Sequence, residues 1–299
     1  MIQTEVFAEV PKALHRSGES AWMRTNRPGV ETPSFLEGPS FDKDGNLFVV
    51  DVPHGRVFRI TPDGAFTVVT EYDGEPNGLK IARDGRIIIT DFRHGLMQLD
   101  PASGKVTPLL HGPRSERFKG VNDLFFGTNG DLYFTDQGET GLHDPTGRVY
   151  RLAADGRLDC LVNTVPSPNG LVMDRHEKAL YVAVTRGNCI WRLPDPQSGS
   201  PGKVGLFIQL SGGPGGPDGL ALDSEGNLAI AHFGLGCVWL FSPHGEPLLR
   251  INSCRGRLTT NLAYGGADGC SLFITESESG CILRAELPVA GKQMFSHQE

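Results

Sequence analysis

The chain has 299 residues and a formal net charge of −7, with no basic cluster, which argues against a nucleic-acid partner. It contains no run of about eighteen apolar residues, so no membrane-spanning helix is predicted. Its 39 glycines and 21 prolines interrupt short apolar runs, as is typical of an all-β protein with many turns.

The first residues lack the charged segment and apolar core of a secretory signal, so we expect a cytoplasmic protein. None of the six cysteines has CxxC spacing, and several lie within apolar stretches, as Cys237 does. In a reducing compartment they are expected to be small buried hydrophobes rather than disulfides or metal ligands.

Residues 1–10 are predicted to form a strand that completes the last blade of a ring and so removes an exposed sheet edge. Residues 11–35, which include Trp22 and Arg24, belong to no repeat and are interpreted as a connector or a lid. The segment is expected either to cover the mouth of a site or simply to link two elements over the surface.

From residue 36 onward a short phrase recurs six times, at intervals of roughly 40–50 residues. Each copy contains apolar runs separated by turn dipeptides such as Asp-Gly, which predicts four strands per copy. Four-stranded repeats of this length are typical of propeller blades. We therefore predict one all-β domain over residues 1–299, a six-bladed β-propeller of four-stranded antiparallel blades. The blades begin near residues 36, 76, 121, 168, 217 and 259.

The first position of every copy is polar, and radial repetition brings equivalent positions together around one axis. The occupants are Glu37, Asn77, Asn122, Asn169, Asp218 and Thr260. Carboxylate and amide oxygens that meet at one point suit a hard divalent cation. The alternative is a water-filled channel mouth lined by turn-forming residues, although Glu37 is a poor turn former.

A second polar column, at the predicted end of the second strand, includes Asp51, Asp91, Asp136 and His232. Antiparallel pairing places it beside the first column, where it is expected to orient the ligands. His232 could exchange a proton with water or a substrate, or be a histidine bonded to backbone in the channel wall. Asp123 replaces a glycine of the other copies, either as a base or substrate contact or because aspartate tolerates the local backbone.

Several stretches occur in blade order, namely Leu36–Pro39, Gly120–Leu124, Tyr133–Asp136, Pro168–Leu171 and Gly216–Leu220. Together they resemble the SMP-30/gluconolactonase family of six-bladed propellers and, more distantly, diisopropylfluorophosphatase. One family feature is absent, since the arginine that animal members carry two residues before the third-blade asparagine is Gly120 here.

The resemblance implies a site for one divalent metal ion, held by Glu37, Asn169 and Asp218, with Asn122 a ligand in some members and a substrate contact in others. It also implies that Asp218 acts in catalysis and that Asn77, Asp123 and His232 line the substrate pocket. A site made of hard oxygen atoms does not select one metal. We expect Ca²⁺ first, with Mg²⁺, Mn²⁺, Fe²⁺ or Zn²⁺ as alternatives.

We therefore expect hydrolysis of a small lactone, in the first instance a sugar lactone, with the metal polarising the carbonyl and Asp218 or Asp123 taking a proton from water. His232 is a further catalytic candidate. Three alternatives stay open: a phosphotriesterase-like hydrolase at the same site, a non-catalytic ligand-binding propeller, and a metal-independent propeller resembling strictosidine synthase.

Overall fold

Six antiparallel sheets surround one axis in the computed structural model, which describes residues 1–298. The innermost strand of each sheet contacts that of the next, and the sixth contacts the first, so the ring is closed. The predicted six-bladed propeller is therefore confirmed. Its strands are rich in β-branched residues, as in Ile87–Asp91, and Gly45 and Gly85 have φ angles of 80° and 84° in the turns between first and second strands.

The first three blades follow the chain from the innermost strand outward. Blade one comprises Leu36–Phe41, Leu47–Asp51, Arg56–Ile60 and Phe66–Glu71; blade two Pro76–Ile81, Ile87–Asp91, Gly95–Asp100 and Lys105–Leu110; blade three Val121–Phe126, Leu132–Asp136, Gly147–Leu152 and Leu158–Val165. Apolar side chains fill the space between neighbouring blades, where Val50 and Val57 pack with Leu79 and Ile87. The core is therefore divided among the blade interfaces.

Blades four and five continue the same order, and blade six takes its outermost strand from the N-terminus. Blade four comprises Pro168–Met173, Ala179–Val184, Cys189–Pro194 and Gly205–Gln209; blade five Gly216–Leu222, Leu228–Phe233, Cys237–Phe241 and Pro247–Asn252; blade six Thr259–Gly265, Ser271–Glu276, Cys281–Glu286 and Glu5–Glu9. Glu5–Glu9 pairs antiparallel with Cys281–Glu286, which confirms the predicted closure. Unexpectedly, Ile2–Gln3 adds a short parallel fifth strand to blade five.

The connector segment, residues 11–35, contains a 3₁₀ turn at Lys12–Leu14 and a helix at Ala21–Asn26. Ser20 caps the helix by accepting a hydrogen bond from the Met23 amide at 3.2 Å. Trp22 is buried against Phe35, with 4.7 Å between ring centroids. No helix among residues 1–298 is long and apolar enough to cross a membrane. The cytoplasmic location stays a prediction.

The C-terminal residues 287–298 lie across one end of the channel, a placement that the repeat did not predict. Phe295, in the 3₁₀ turn Phe295–His297, stacks on Phe126 with 4.7 Å between centroids. Lys292 bonds to Glu177 at 3.0 Å. A cavity of about 70 Å³ remains between this segment and the innermost strands. Further 3₁₀ turns occur at Val52–His54, Thr185–Gly187 and Pro196–Ser198.

A fully buried ion pair attaches the connector segment to blade one. Arg56 pairs with Asp51, and both side chains are 0% exposed. Arg56 also donates a hydrogen bond from Nη1 to the Leu14 carbonyl at 2.6 Å, while Asp51 accepts one from the Phe35 amide at 2.7 Å. The pair therefore bonds to both ends of the segment.

Replacing Arg56 with alanine should lower the free energy of unfolding by about 3–5 kcal/mol, because Asp51 would remain buried without a counter-charge. Urea unfolding of the two proteins measures this difference. Arg86→Ala is the matched control, since Arg86 pairs with Asp84 in an exposed position and its loss should cost no more than about 1 kcal/mol. Equal losses in the two variants would contradict the structural role of the buried pair.

Candidate functional site

An irregularity in strand pairing occurs at the same place in all six blades. The ladder between the innermost and second strands shifts register between Glu37 and Ser40 in blade one and between Pro217 and Leu220 in blade five, with equivalent shifts in the other blades. Such bulges re-aim a side chain relative to a regular strand. The repeated polar residue lies at this bulge.

Five of the six repeated polar residues line one cavity of about 610 Å³. They are Glu37, Asn77, Asn122, Asn169 and Asp218, each of them buried. Thr260, the sixth, does not line it, because its Oγ1 donates a hydrogen bond to the Leu36 carbonyl at 3.0 Å. Ser277 donates to the same carbonyl at 2.6 Å, so these two hydroxyls join blade six to blade one.

Close approach of the innermost strands brings the polar residues together. A Cβ at Gly170 would lie 2.3 Å from the Asp218 carbonyl oxygen, and a Cβ at Gly38 would lie 2.6 Å from the Leu79 nitrogen. Glycine is therefore required after Glu37 and after Asn169. Threonines reinforce the contacts, since Thr135 Oγ1 donates to the Asn169 carbonyl at 2.9 Å.

Asp123 and Asn261 replace glycine in this column, and their side chains meet inside the channel. The Asn261 amide donates from Nδ2 to Glu37 at 2.9 Å and to Asp123 at 3.2 Å. All three residues are buried, and neither Asp123 nor Asn261 lines the cavity. Asn261 thus bridges the two carboxylates. Sequence reasoning missed it, although its departure from the glycine pattern was as visible as that of Asp123.

The buried carboxylates carry strongly perturbed pKa values. Burial, followed by the charge of Asp123, raises the pKa of Glu37 to about 8. Burial and the charges of Glu37 and Asp123 raise the pKa of Asp218 well above its usual value. Burial also raises the pKa of Asp123, against the lowering effect of Lys80. Charged carboxylates in this channel therefore need further positive charge.

The donor set fits a hard divalent cation. Glu37 and Asp218 supply carboxylate oxygens and Asn122 and Asn169 supply amide oxygens at one cavity. Within residues 1–298 no cluster of three or more His, Cys, Asp or Glu side chains has the geometry of a metal site. Two of the four candidate ligands are asparagines, so all the donor atoms are oxygens. The set differs in this from zinc sites, which are built mainly from histidine nitrogen and cysteine sulfur.

A relay of hydrogen bonds orients Asn122. Its Nδ2 donates to Gln137 Oε1 at 2.8 Å, and Gln137 Nε2 donates to Ser167 Oγ at 2.9 Å. Thr140 Oγ1 donates to the Gln137 carbonyl at 2.6 Å and accepts from the Ser167 amide at 3.1 Å. Because the Asn122 amide nitrogen is held by Gln137, its oxygen is the atom left for the cavity. Gln137 was not predicted as a site residue.

His232 lies one layer behind the cavity wall. It pairs with Pro217 in the strand ladder, is 0% exposed and does not line the cavity. Trp239 donates from Nε1 to His232 Nδ1 at 3.2 Å. Burial lowers the pKa of His232, which favours the neutral ring. The expected catalytic or substrate-binding role of His232 stays a prediction.

The aspartates of the second column accept hydrogen bonds from backbone amides, and they do not bond to the polar side chains of the cavity. Asp51, Asp91 and Asp136 each accept a hydrogen bond from the amide just before an innermost strand, at 2.7, 2.9 and 2.9 Å. They fix the point at which the strand enters the channel. Their effect on the site is therefore indirect, through the backbone.

Residues outside the repeat complete the cavity. The connector segment contributes Trp22, Asn26 and Arg27 to its lining. The loop 137–143 of blade three and the blade-four turn with Arg186 line it as well. Trp22, Phe35, Phe92 and Phe233 supply aromatic surface around the polar base. The connector segment thus lies over the site rather than only linking two elements.

The model of the SMP-30/Gluconolactonase/LRE-like region matches residues 35–278. A gluconolactonase of Zymomonas mobilis is 31% identical over 274 residues, covering 81% of this chain and 76% of the relative. A Staphylococcus aureus protein, lactonase drp35, is 28% identical over 242 residues, covering 77% of this chain and 72% of that protein.

Solved structures show the same fold. A gluconolactonase of Xanthomonas campestris has a TM-score of 0.76 at 24% identity, covering 95% of this chain and 98% of that one. The calcium-binding protein regucalcin of Agrobacterium tumefaciens has a TM-score of 0.76 at 22% identity, and each chain is covered in full. With the match over residues 35–278, these findings establish that the chain belongs to the SMP-30/gluconolactonase/LRE-like family.

Proposed function

We propose that this protein hydrolyses a small lactone, in the first instance a sugar lactone, with a divalent cation held by Glu37, Asn122, Asn169 and Asp218. The supporting observation is that two buried carboxylates with raised pKa values and two amides line one cavity. The identity with a gluconolactonase supports the reaction class. Calcium is our first choice among the divalent metals that bind hard oxygen ligands.

When bound, a divalent cation supplies a Lewis acid that polarises the lactone carbonyl and stabilises the charge that develops on its oxygen. Asn77 lies in the same cavity outside the proposed ligand set, so its amide can donate a hydrogen bond to a substrate oxygen. The aromatic side chains of Trp22 and Phe92 can pack against the apolar faces of a sugar ring.

Asp218 is the proposed general base, because it lines the cavity and Asp123 does not. The oxygen of a water molecule bonds to the lactone carbonyl carbon while the ionised Asp218 takes its proton. The ring carbon–oxygen bond then breaks, and the departing ring oxygen receives that proton, which yields a hydroxy acid. Asp123 lies behind the cavity wall, and its effect on Glu37 passes through Asn261, which donates a hydrogen bond to each of the two carboxylates.

Glu37→Gln should lower kcat/KM for lactone hydrolysis by at least about 100-fold. Loss of a residue that only orients a metal ligand already costs about 10–100-fold in metal affinity or activity, and Glu37 is a proposed ligand itself. To measure kcat/KM, both proteins are stripped with chelator, reloaded with Ca²⁺, Mg²⁺, Mn²⁺ or Zn²⁺, and assayed on a panel of aldonolactones. Bound metal is quantified in parallel. Glu246→Gln, at an exposed turn of blade five, is the control and should match wild type.

Unchanged metal content and activity in Glu37→Gln would overturn the assignment of the site. Turnover of an aryl phosphotriester without lactone turnover would favour a phosphotriesterase-like hydrolase. Metal-dependent ligand binding without turnover of either compound would favour a binding propeller, and full lactonase activity in the stripped protein would exclude the metal from the reaction.

In the metal-free protein, stability should fall as pH rises from about 5 to about 8. The raised pKa values of Glu37 and Asp218 mean that the folded state favours their protonated forms. Their stabilising contribution is therefore complete below their unfolded-state pKa values and is lost as pH rises through the folded-state values. Urea unfolding in chelator at several pH values measures the trend.

Glu37→Gln serves as the reference for this pH series, because it removes one titrating group while other groups such as His232 still titrate. The difference in unfolding free energy between wild type and variant should change with pH in the direction given above. Added Ca²⁺ should stabilise the wild type more at pH 8 than at pH 5, since the cation competes with protons. A difference that is independent of pH would contradict the buried-carboxylate account.

Gln137→Leu should weaken divalent-cation binding about 10–100-fold, because Asn122 loses the acceptor that orients its amide. Gln137→Glu keeps an acceptor at that position and should bind at least as tightly as the wild type. Calorimetric titration of the chelator-treated proteins with Ca²⁺ measures both. Gln98→Leu, on the outer part of blade two, is the control. Equal affinities for all variants would show that Asn122 is not oriented by Gln137.

A further inference from the structure

Two arginines from different elements line the cavity without a carboxylate partner. Arg27 ends the connector helix and Arg186 lies in the blade-four turn Thr185–Gly187. Among residues 1–298 neither guanidinium is within ion-pairing distance of an acidic side chain. Arg27 Nε is in addition buried without a hydrogen-bond partner. Unpaired guanidinium groups at a cavity are free to bind an anion.

The arginines are less buried than the carboxylates of the cavity, since Arg27 is half-buried and Arg186 is exposed. Asn26 and Leu142, which also line the cavity, are exposed like Arg186 and mark its mouth, whereas Glu37 and Asp218 are buried. The Arg186 side chain lies against the loop 137–143, since a Cβ at Gly141 would be 3.7 Å from its Cγ. Burial and neighbouring carboxylates raise the pKa of Asp218, and Arg186 opposes this rise, so its charge acts on the site.

The charges of the cavity therefore change from base to mouth. An anionic group is attracted by the two guanidiniums at the mouth and finds no such partner in the carboxylates Glu37 and Asp218 at the base. Glu139 also lines the cavity, but it is exposed and makes no ion pair with either arginine. A neutral sugar lactone would leave both guanidiniums bonded only to water.

We infer that Arg27 and Arg186 form an anion subsite at the cavity mouth, and that the substrate is a lactone bearing a carboxylate or phosphate on the part remote from the reacting ester. This inference rests on the proposed lactonase function. The guanidinium forks of the two arginines bind the anionic oxygens while the ester group lies against Asn122, Asn169 and Asp218.

Three lactones of the same ring size test the subsite: a neutral aldonolactone, the monolactone of an aldaric acid, and an aldonolactone phosphate ester. The wild type should prefer at least one anionic lactone by about tenfold or more in kcat/KM at low ionic strength, mainly through KM. Arg186→Gln and Arg27→Gln should each lower the anionic-to-neutral ratio by about tenfold. Comparison of the two anionic lactones tells a carboxylate from a phosphate.

Arg157→Gln, at an exposed turn of blade three, is the matched control and should keep the wild-type ratio. Thermal unfolding of each variant checks its folding. The subsite would be overturned if the wild type had equal kcat/KM values for neutral and anionic lactones and each arginine variant lost the same factor on both. The lactonase proposal would still stand in that case.

If no lactone is hydrolysed, the lactonase proposal fails, and binding still tests the subsite. Calorimetric titration with an unreactive lactam carrying a carboxylate or phosphate should then show binding that Arg186→Gln weakens by about tenfold. Binding that is equal for wild type, both arginine variants and the neutral lactam would overturn the inference independently of turnover.

Discussion

The site depends on one electrostatic constraint, which is the burial of three carboxylates in a single channel. Glu37, Asp123 and Asp218 are each removed from water, and Lys80 is the cation that opposes the charge of Asp123. Such a cluster is unfavourable unless protons or a cation compensate it, because removing each charge from water costs several kcal/mol. The raised pKa values of Glu37 and Asp218 are the consequence for the free protein. Under the proposed function, a bound divalent cation supplies this compensation.

Backbone geometry creates that constraint. In five of the six blades the bulge at the start of the innermost strand turns the polar side chain toward the cavity, and in four blades the glycine that follows lets adjacent strands approach closely. Where Asp123 and Asn261 replace glycine, their side chains fill the channel behind the cavity and bond to each other. Asn261 is therefore as much a part of the carboxylate cluster as the acids, since its amide separates two like charges by bonding to both.

The repeat made the fold and the polar column predictable, because ring closure brings equivalent positions together whatever their separation in sequence. The sequence alone could not show which members of the column reach the cavity: Thr260 has the same place in the repeat as Asp218, yet it bonds to Leu36. Gln137 acts through Asn122, and such a partner has no signature in a single sequence. The C-terminal segment over the other end of the channel lies outside the repeat, so periodicity could not place it.

Under the proposed function, the metal ligands belong to the repeat, whereas the residues that decide substrate specificity come from elements outside it. The connector segment brings Trp22 and Arg27 over the cavity, and the buried pair of Arg56 and Asp51 anchors it at both ends. A segment held in this way presents its side chains to a substrate without first having to become ordered, which lowers the entropy cost of binding. A propeller of this kind can change its substrate by changing the connector and the loop 137–143 while the polar column stays the same. The anchoring pair, though remote from the cavity, thus supports the proposed substrate site as well as the stability of blade one.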